Sequence, residues 1–214
     1  MVVTQIRGRS LNKSKEIDSN VRADILKEVG RQLAIINSIK VGGFGDIVSV
    51  NKGIIKTINP DYGWSDLSKK VYDRLLFLEK KEIITYKHLD KVYRYLEMGS
   101  VIFHSQKEYY LNHGDLSASH IYIDGGKYSG LIDLGDARGG FRYSDLAHIY
   151  IFDNNIFGDV LNGYSEHVNI SGDFTDEIKI LGVLIVVNKL YWRFFNRPEK
   201  VNDKSIFKFL ENIH

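Results

Sequence analysis

The sequence predicts an α+β chain, mostly helical, arranged around one β-hairpin. Three observations carry this. Apolar residues recur at three- and four-residue spacing in several long stretches, the pattern of helices with one buried face. One stretch, Phe174–Phe195, is apolar on most sides and reads as a long, largely buried helix. Between Leu111 and Ala137 the pattern changes. The runs Ile121-Tyr122-Ile123 and Leu131-Ile132 flank Asp124-Gly125-Gly126-Lys127, and Gly-Gly supplies the positive φ that a tight hairpin turn needs.

The helices follow in order. Asp18 or Ser19 caps the first, which runs to about Ile36 with Val21, Ile25, Val29, Leu33 and Ile36 as its buried stripe. The glycines of Val41–Asp46 read as a structural turn, because a phosphate loop of the Gly-Lys-Ser/Thr kind leading into a helix is absent. Apolar runs around Asn51-Lys52-Gly53 predict a small hairpin over Val48–Ile58. Trp64 opens a second helix through Leu67, Val71, Leu75 and Leu78; Leu89, Val92, Tyr93 and Leu96 mark a third. Tyr109-Tyr110-Leu111 is a short strand, Ala137–Phe141 a glycine-containing loop, and Tyr143–Ala147 the start of another helix. A helix ends at Leu161–Tyr164, Arg197-Pro198 stops the long one, and Ser205–Ile213 forms a terminal helix.

Composition fits one domain spanning 1–214, since 214 residues with 43% hydrophobic and 26% charged side chains can bury a sizeable core. A net charge of +2 is too mild to argue for nucleic acid, and the lack of cysteine excludes disulfides and thiolate metal sites. The start lacks the apolar core of a secretion signal, and Ile180–Val187 is too short to span a bilayer. A cytoplasmic protein without membrane contact is expected.

The polar groups of Leu111–Ala137 gather at the ends of the predicted hairpin. Asp115 lies on the entering loop, His120 at the start of the first strand, and Asp133 at the end of the second. A hairpin brings its ends together, so these three are expected to converge. The arrangement suits metal-assisted phosphoryl transfer: His120 and Asp133 hold Mg²⁺ against a nucleotide, and Asp115 faces the attacking hydroxyl as base.

His113-Gly114-Asp115, then His120, then Ile132-Asp133-Leu134-Gly135-Asp136 resembles the catalytic core of the aminoglycoside phosphotransferase family. His120 stands where Asn is commoner. The resemblance extends diffusely to Ile6, Gly8 and Leu11, similar to the segment past the family's hinge (1–14 here), to Asn37, which replaces a common His, and to Asp145-Leu146-Ala147. It implies a protein-kinase-like C-terminal lobe with a catalytic hairpin. It further implies γ-phosphate transfer from ATP or GTP to a hydroxyl of a small molecule such as an aminoglycoside. His113, Asp136 and Asp145 are then loop supports, and Asp153, Asp159 and Glu166 are acidic candidates for a cationic substrate. No strand lysine of the family's nucleotide lobe precedes the catalytic loop. The chain alone is therefore expected to be weak or inactive, and its upper face near Val2, Val3 and Ile6 to invite self-association. Two other classes remain open: a non-catalytic binding remnant of a kinase, and a metal-dependent phosphoesterase, which lacks its further His motifs here.

Overall fold

The computed structural model describes residues 6–14, 16–202 and 204–213; the Val2-Val3-Thr4 run, and with it most of the face expected to invite self-association, lies outside them. In chain order the elements are β1 (Arg9–Ser10), α1 (Ser19–Ile36), β2 (Lys40–Val41), β3 (Phe44–Asn51), β4 (Ile54–Asn59), α2 (Trp64–Lys80) and α3 (Tyr86–Ile102). There follow β5 (Tyr109–Asn112), β6 (Ile121–Asp124), β7 (Lys127–Leu131), β8 (Arg138–Gly140), α4 (Ser144–Phe152), α5 (Asn154–Ser165), α6 (Phe174–Asn196) and α7 (Lys204–Asn212). The mostly helical α+β class is as the sequence predicts. The chain divides into two compact units, each made of two separate stretches: Met1–Pro60 with Tyr109–Ser171, and Asp61–Glu108 with Gly172–His214.

The first unit holds both sheets. One has the order β1-β6-β7, the other β2-β5-β8-β3-β4, and every strand pair is antiparallel. The β6–β7 hairpin turns through Gly125 and Gly126 at φ +54° and +75°, as Gly-Gly predicts. Strand β8 lies where the sequence predicts a loop, Ala137–Phe141. Arg138–Gly140 pairs with β3 on one side and β5 on the other. Its glycines have no strand propensity, but a Cβ on Gly139 would lie 2.1 Å from the Gly43 carbonyl oxygen, so the sheet closes only around glycine there.

Helix α1 is capped by Asp18, whose carboxylate accepts from the backbone N–H of Asn20 (2.8 Å) and Val21 (3.4 Å). Ile25, Leu26, Val29, Gly30, Leu33 and Ala34 are its buried face, while Val21, expected in that stripe, is exposed in the first turn. α1 packs on α5 at very close range. A Cβ on Gly30 would lie 2.0 Å from the Val160 carbonyl oxygen, and one on Gly163 would lie 1.8 Å from that of Lys27. Arg31 ties the same two helices by gripping Glu166 through Nε (2.6 Å) and Nη2 (3.2 Å).

The second unit is a helical cluster in which α6 packs on α2 and α3. Leu67, Val71, Leu75 and Leu78 of α2 are all buried, as their spacing predicts. In α3 the buried tyrosine is Tyr95; Tyr93 is exposed. Helix α6 buries Ile178 and Ile180–Leu184 together with Val186, Val187 and Leu190, while Trp192 and Phe195 in its last turns are exposed. No helix among the described residues is long and apolar enough to cross a membrane.

Candidate active site

All the motif residues lie in the first unit. Strand β5 ends at Asn112 and delivers His113-Gly114-Asp115 onto a loop that returns into β6 at Ile121. Asp145, in the first turn of α4 and 1% exposed, holds this loop. Its carboxylate accepts from the backbone N–H of His113 (2.9 Å) and Gly114 (3.0 Å) and from Asn37 Nδ2 (3.0 Å). The positive end of the helix favours a carboxylate there. Asn37 Nδ2 also donates to the Leu111 carbonyl at 2.9 Å, so this side chain pins the strand and the brace together.

His113 is fully buried, and its Nε2 donates to the Ile132 carbonyl at 2.8 Å. This ties the entering loop to the exit of β7. The ring stacks on His120 with centroids 5.9 Å apart and planes 10° from parallel. Asp136 meets the loop through its main chain and pairs with Arg138: its carbonyl accepts from Arg138 Nε (3.0 Å), and Oδ1 lies 3.5 Å from Nη2.

His120 and Asp133 come together, with Nε2 and Oδ2 3.5 Å apart. Asp133 occupies the left-handed region at φ +64°, a conformation Asp tolerates better than most residues, and opens a single 3₁₀ turn over Leu134–Asp136. The other ring nitrogen of His120, Nδ1, lies 2.7 Å from the Asp115 main-chain carbonyl. A carbonyl only accepts, so Nδ1 carries a proton, and Nε2 is the nitrogen turned to the Asp133 carboxylate. A neutral ring would offer the Nε2 lone pair beside a carboxylate oxygen, a pair that could ligate a cation, and the Nδ1–H···O=C support is what orients histidine ligands elsewhere. Mg²⁺ fits such a pair when water and phosphate oxygens complete its shell.

Asp115 joins this group through its carbonyl, while its carboxylate turns elsewhere: Oδ1 lies 3.2 Å from Nε2 of His148, on α4. Among the described residues no three His, Asp or Glu side chains close around one metal-sized point. The hairpin thus unites His120 with Asp133 and sets Asp115 beside them, short of a three-sided cluster. The Asp115 side chain remains 44% exposed and that of Asp133 65% exposed.

Two acidic residues with an expected substrate role are engaged within the protein. Asp153 Oδ2 accepts from the Ala118 backbone N–H at 3.2 Å, and Glu166 is held by Arg31. His148 and Asn37 were not predicted as parts of the site. In sequence His148 sits in an apolar helical run and its partners lie 32 and 33 positions earlier, so no local signal reveals it.

A model of the phosphotransferase enzyme family matches residues 1–173. The chain belongs to that family. Its fold is also that of solved family members. A thermostable mutant of aminoglycoside phosphotransferase APH(4)-Ia, in ternary complex with AMP-PNP and hygromycin B, is 15% identical with a TM-score of 0.66. The match covers 97% of this chain and 70% of that one. The gentamicin complex of APH(2")-IIa is 14% identical with a TM-score of 0.62, over 99% and 69% of the two chains. ADP-bound APH(2'')-Ib is 15% identical with a TM-score of 0.60, over 98% and 69%. No curated protein matches the chain. At these identities the solved structures establish the kinase-like fold, and the family model places this chain among phosphotransferases.

Proposed function

We propose that residues 1–214 form one C-terminal lobe of a small-molecule kinase of the cytoplasm, which transfers the γ-phosphate of ATP or GTP to a hydroxyl of a compound such as an aminoglycoside. The observation that supports this most is the His120–Asp133 pair at one end of one hairpin, joined through the Asp115 main-chain carbonyl to a loop held by Asp145, with the Asp115 carboxylate of that same loop facing His148. The nucleotide and aminoglycoside complexes of the structural neighbours support the substrate classes. Asp115 accepts the proton of the acceptor hydroxyl as that oxygen attacks. His120 and Asp133 hold Mg²⁺, which when bound neutralises charge on the phosphate oxygens. His113 keeps the entering loop and the Asp133 turn in register. Asp136 and Arg138 support the far side.

Activity of this chain by itself is low in this reading. Phosphoryl transfer depends on positioning and charge stabilisation, and Asp115, His120 and Asp133 supply only one side of that arrangement.

Calorimetry with ATP and GTP, with and without Mg²⁺, tests the site, and a transfer assay over aminoglycosides and amino alcohols tests the reaction. Mg²⁺-dependent nucleotide binding that weakens at least about tenfold in Asp133→Ala is expected, with slow transfer that Asp115→Asn abolishes. Binding indifferent to Mg²⁺ and to Asp133 would sink the metal assignment. Turnover near 1 s⁻¹, ordinary for a kinase, would overturn the impaired activity alone.

A further inference from the structure

We propose that His148 is a positioning residue that fixes the Asp115 carboxylate for the acceptor hydroxyl. The inference rests on the reading of Asp115 as the base, and its geometry stands apart from the metal pair.

His148 lies one helical turn beyond Asp145, so the two project from neighbouring places on α4 toward the same loop. Asp145 holds the backbone N–H groups of His113 and Gly114. His148 meets the next two residues: Nδ1 lies 3.0 Å from the Leu116 carbonyl, and Nε2 lies 3.2 Å from Asp115 Oδ1. Asp153, at the end of the helix, takes the Ala118 N–H. The helix thus runs beside the loop and grips it at three successive points. Only the middle grip reaches a side chain with a chemical role.

Hydrogen-bond bookkeeping fixes the ring. Both nitrogens face acceptors, a carbonyl on one side and a carboxylate on the other. Turning the ring over would set carbon atoms against the same two oxygens, so the orientation is determined. The carbonyl requires a proton on Nδ1, and a bond to an ionised Asp115 requires one on Nε2. The ring is 7% exposed and leans on Phe152 with centroids 4.7 Å apart, which removes the freedom to swing away. A charge-assisted bond from a side chain held this firmly sets the plane of the carboxylate. Loops alone position catalytic groups poorly; a support from a helix does it better.

Two amide replacements separate positioning from simple loop support. Gln carries an N–H₂ near the place of ring Nε2, facing Asp115; Asn carries one near the place of Nδ1, facing Leu116. In the full chain, kcat is expected to fall about 10- to 100-fold in His148→Asn with nucleotide KM unchanged, since small misplacements of a reacting group cost that much. His148→Gln is expected to recover most of the loss. If Asn serves as well as His, the loop contact is the whole role and the inference is wrong.

Side-chain ¹⁵N NMR of His148 in wild type and Asp115→Asn gives an independent readout. Protons on both nitrogens in wild type, with the Nε2 signal shifting in Asp115→Asn while Nδ1 holds, is the expected result. A wild-type Nε2 without a proton, or one indifferent to Asp115→Asn, overturns the inference. The spectra decide it even if no form of the chain transfers phosphate, an outcome that would count against the function proposed above and not against this contact.

Discussion

Asp145 concentrates the support of the loop in one carboxylate. Two backbone donors and the Asn37 amide converge on it, and the bonds from His113 and Asn37 are buried. In Asp145→Asn one of the two oxygens becomes an N–H₂, which sets a donor against the His113 or Gly114 N–H. Leaving such a buried group unsatisfied costs about 1–3 kcal/mol. The midpoint of denaturant unfolding should fall accordingly with an unchanged m-value. An unaltered midpoint would mean that the loop is held by the sheet alone. Asn37 was legible only as a departure from a common histidine. Its use, a donor shared between Leu111 and Asp145, depends on partners 74 and 108 positions away. His148 was hidden for the same reason, whereas Asp115, His120 and Asp133 announced themselves because hairpin geometry is a local property.

Among the elements, α1 and α5 make the tightest contact in the first unit. Gly30 and Gly163 let the two backbones approach to a distance that no side chain survives. Gly163→Ala must push a helix away or strain its rotamers, at about 1–3 kcal/mol, and should lower Tm by several degrees. An unchanged melting point would show that the helices can part freely. The Arg31–Glu166 pair crosses the same contact. Its hydrogen bond from Arg31 holds the Glu166 carboxyl below the ordinary range, and Glu28 is lowered too, chiefly by Gln32 and then by Arg31. A lowered carboxyl stabilises above its unfolded pKa and loses that contribution as pH falls through its folded value. Glu166→Gln should therefore melt below wild type at neutral pH, with the gap closing in acid. A gap that persists at low pH would assign the effect to packing. Helices were well read from sequence, because three- and four-residue spacing is written in neighbouring residues. The Asp18 cap and the Leu67–Leu78 stripe are examples. Strand β8 was not, because Arg138-Gly139-Gly140 becomes a strand only through two partners elsewhere in the chain. Val21 and Tyr93 kept the helical period but fall at a helix end and on an outer face, which periodicity alone does not distinguish.

At the scale of the whole molecule, composition and the hairpin gave the class, but the division into two units did not show, since no linker or shift in composition marks it. The reason is the way the stretches alternate: first unit, second, first, second. A chain ending at residue 108 contains half of each unit. It has β3 and β4 without β5 and β8, α1 without α5, and α2 and α3 without α6. Such a fragment should show no cooperative melting transition, and a sharp one would mean that half a core suffices. The alternation also has a consequence in time. A ribosome releases the chain from its first residue onward, and domains ordinarily fold as units while synthesis continues. Here the loop that carries Asp115 waits for Asp145 and Asp153 to emerge behind it, and α1 waits for Gly163. Until then the newborn chain presents the apolar face of α1 and the edges of its strands to the crowded cell. Chaperone holding, or a pause in translation near the end of α5, would act on this interval more than on the finished protein.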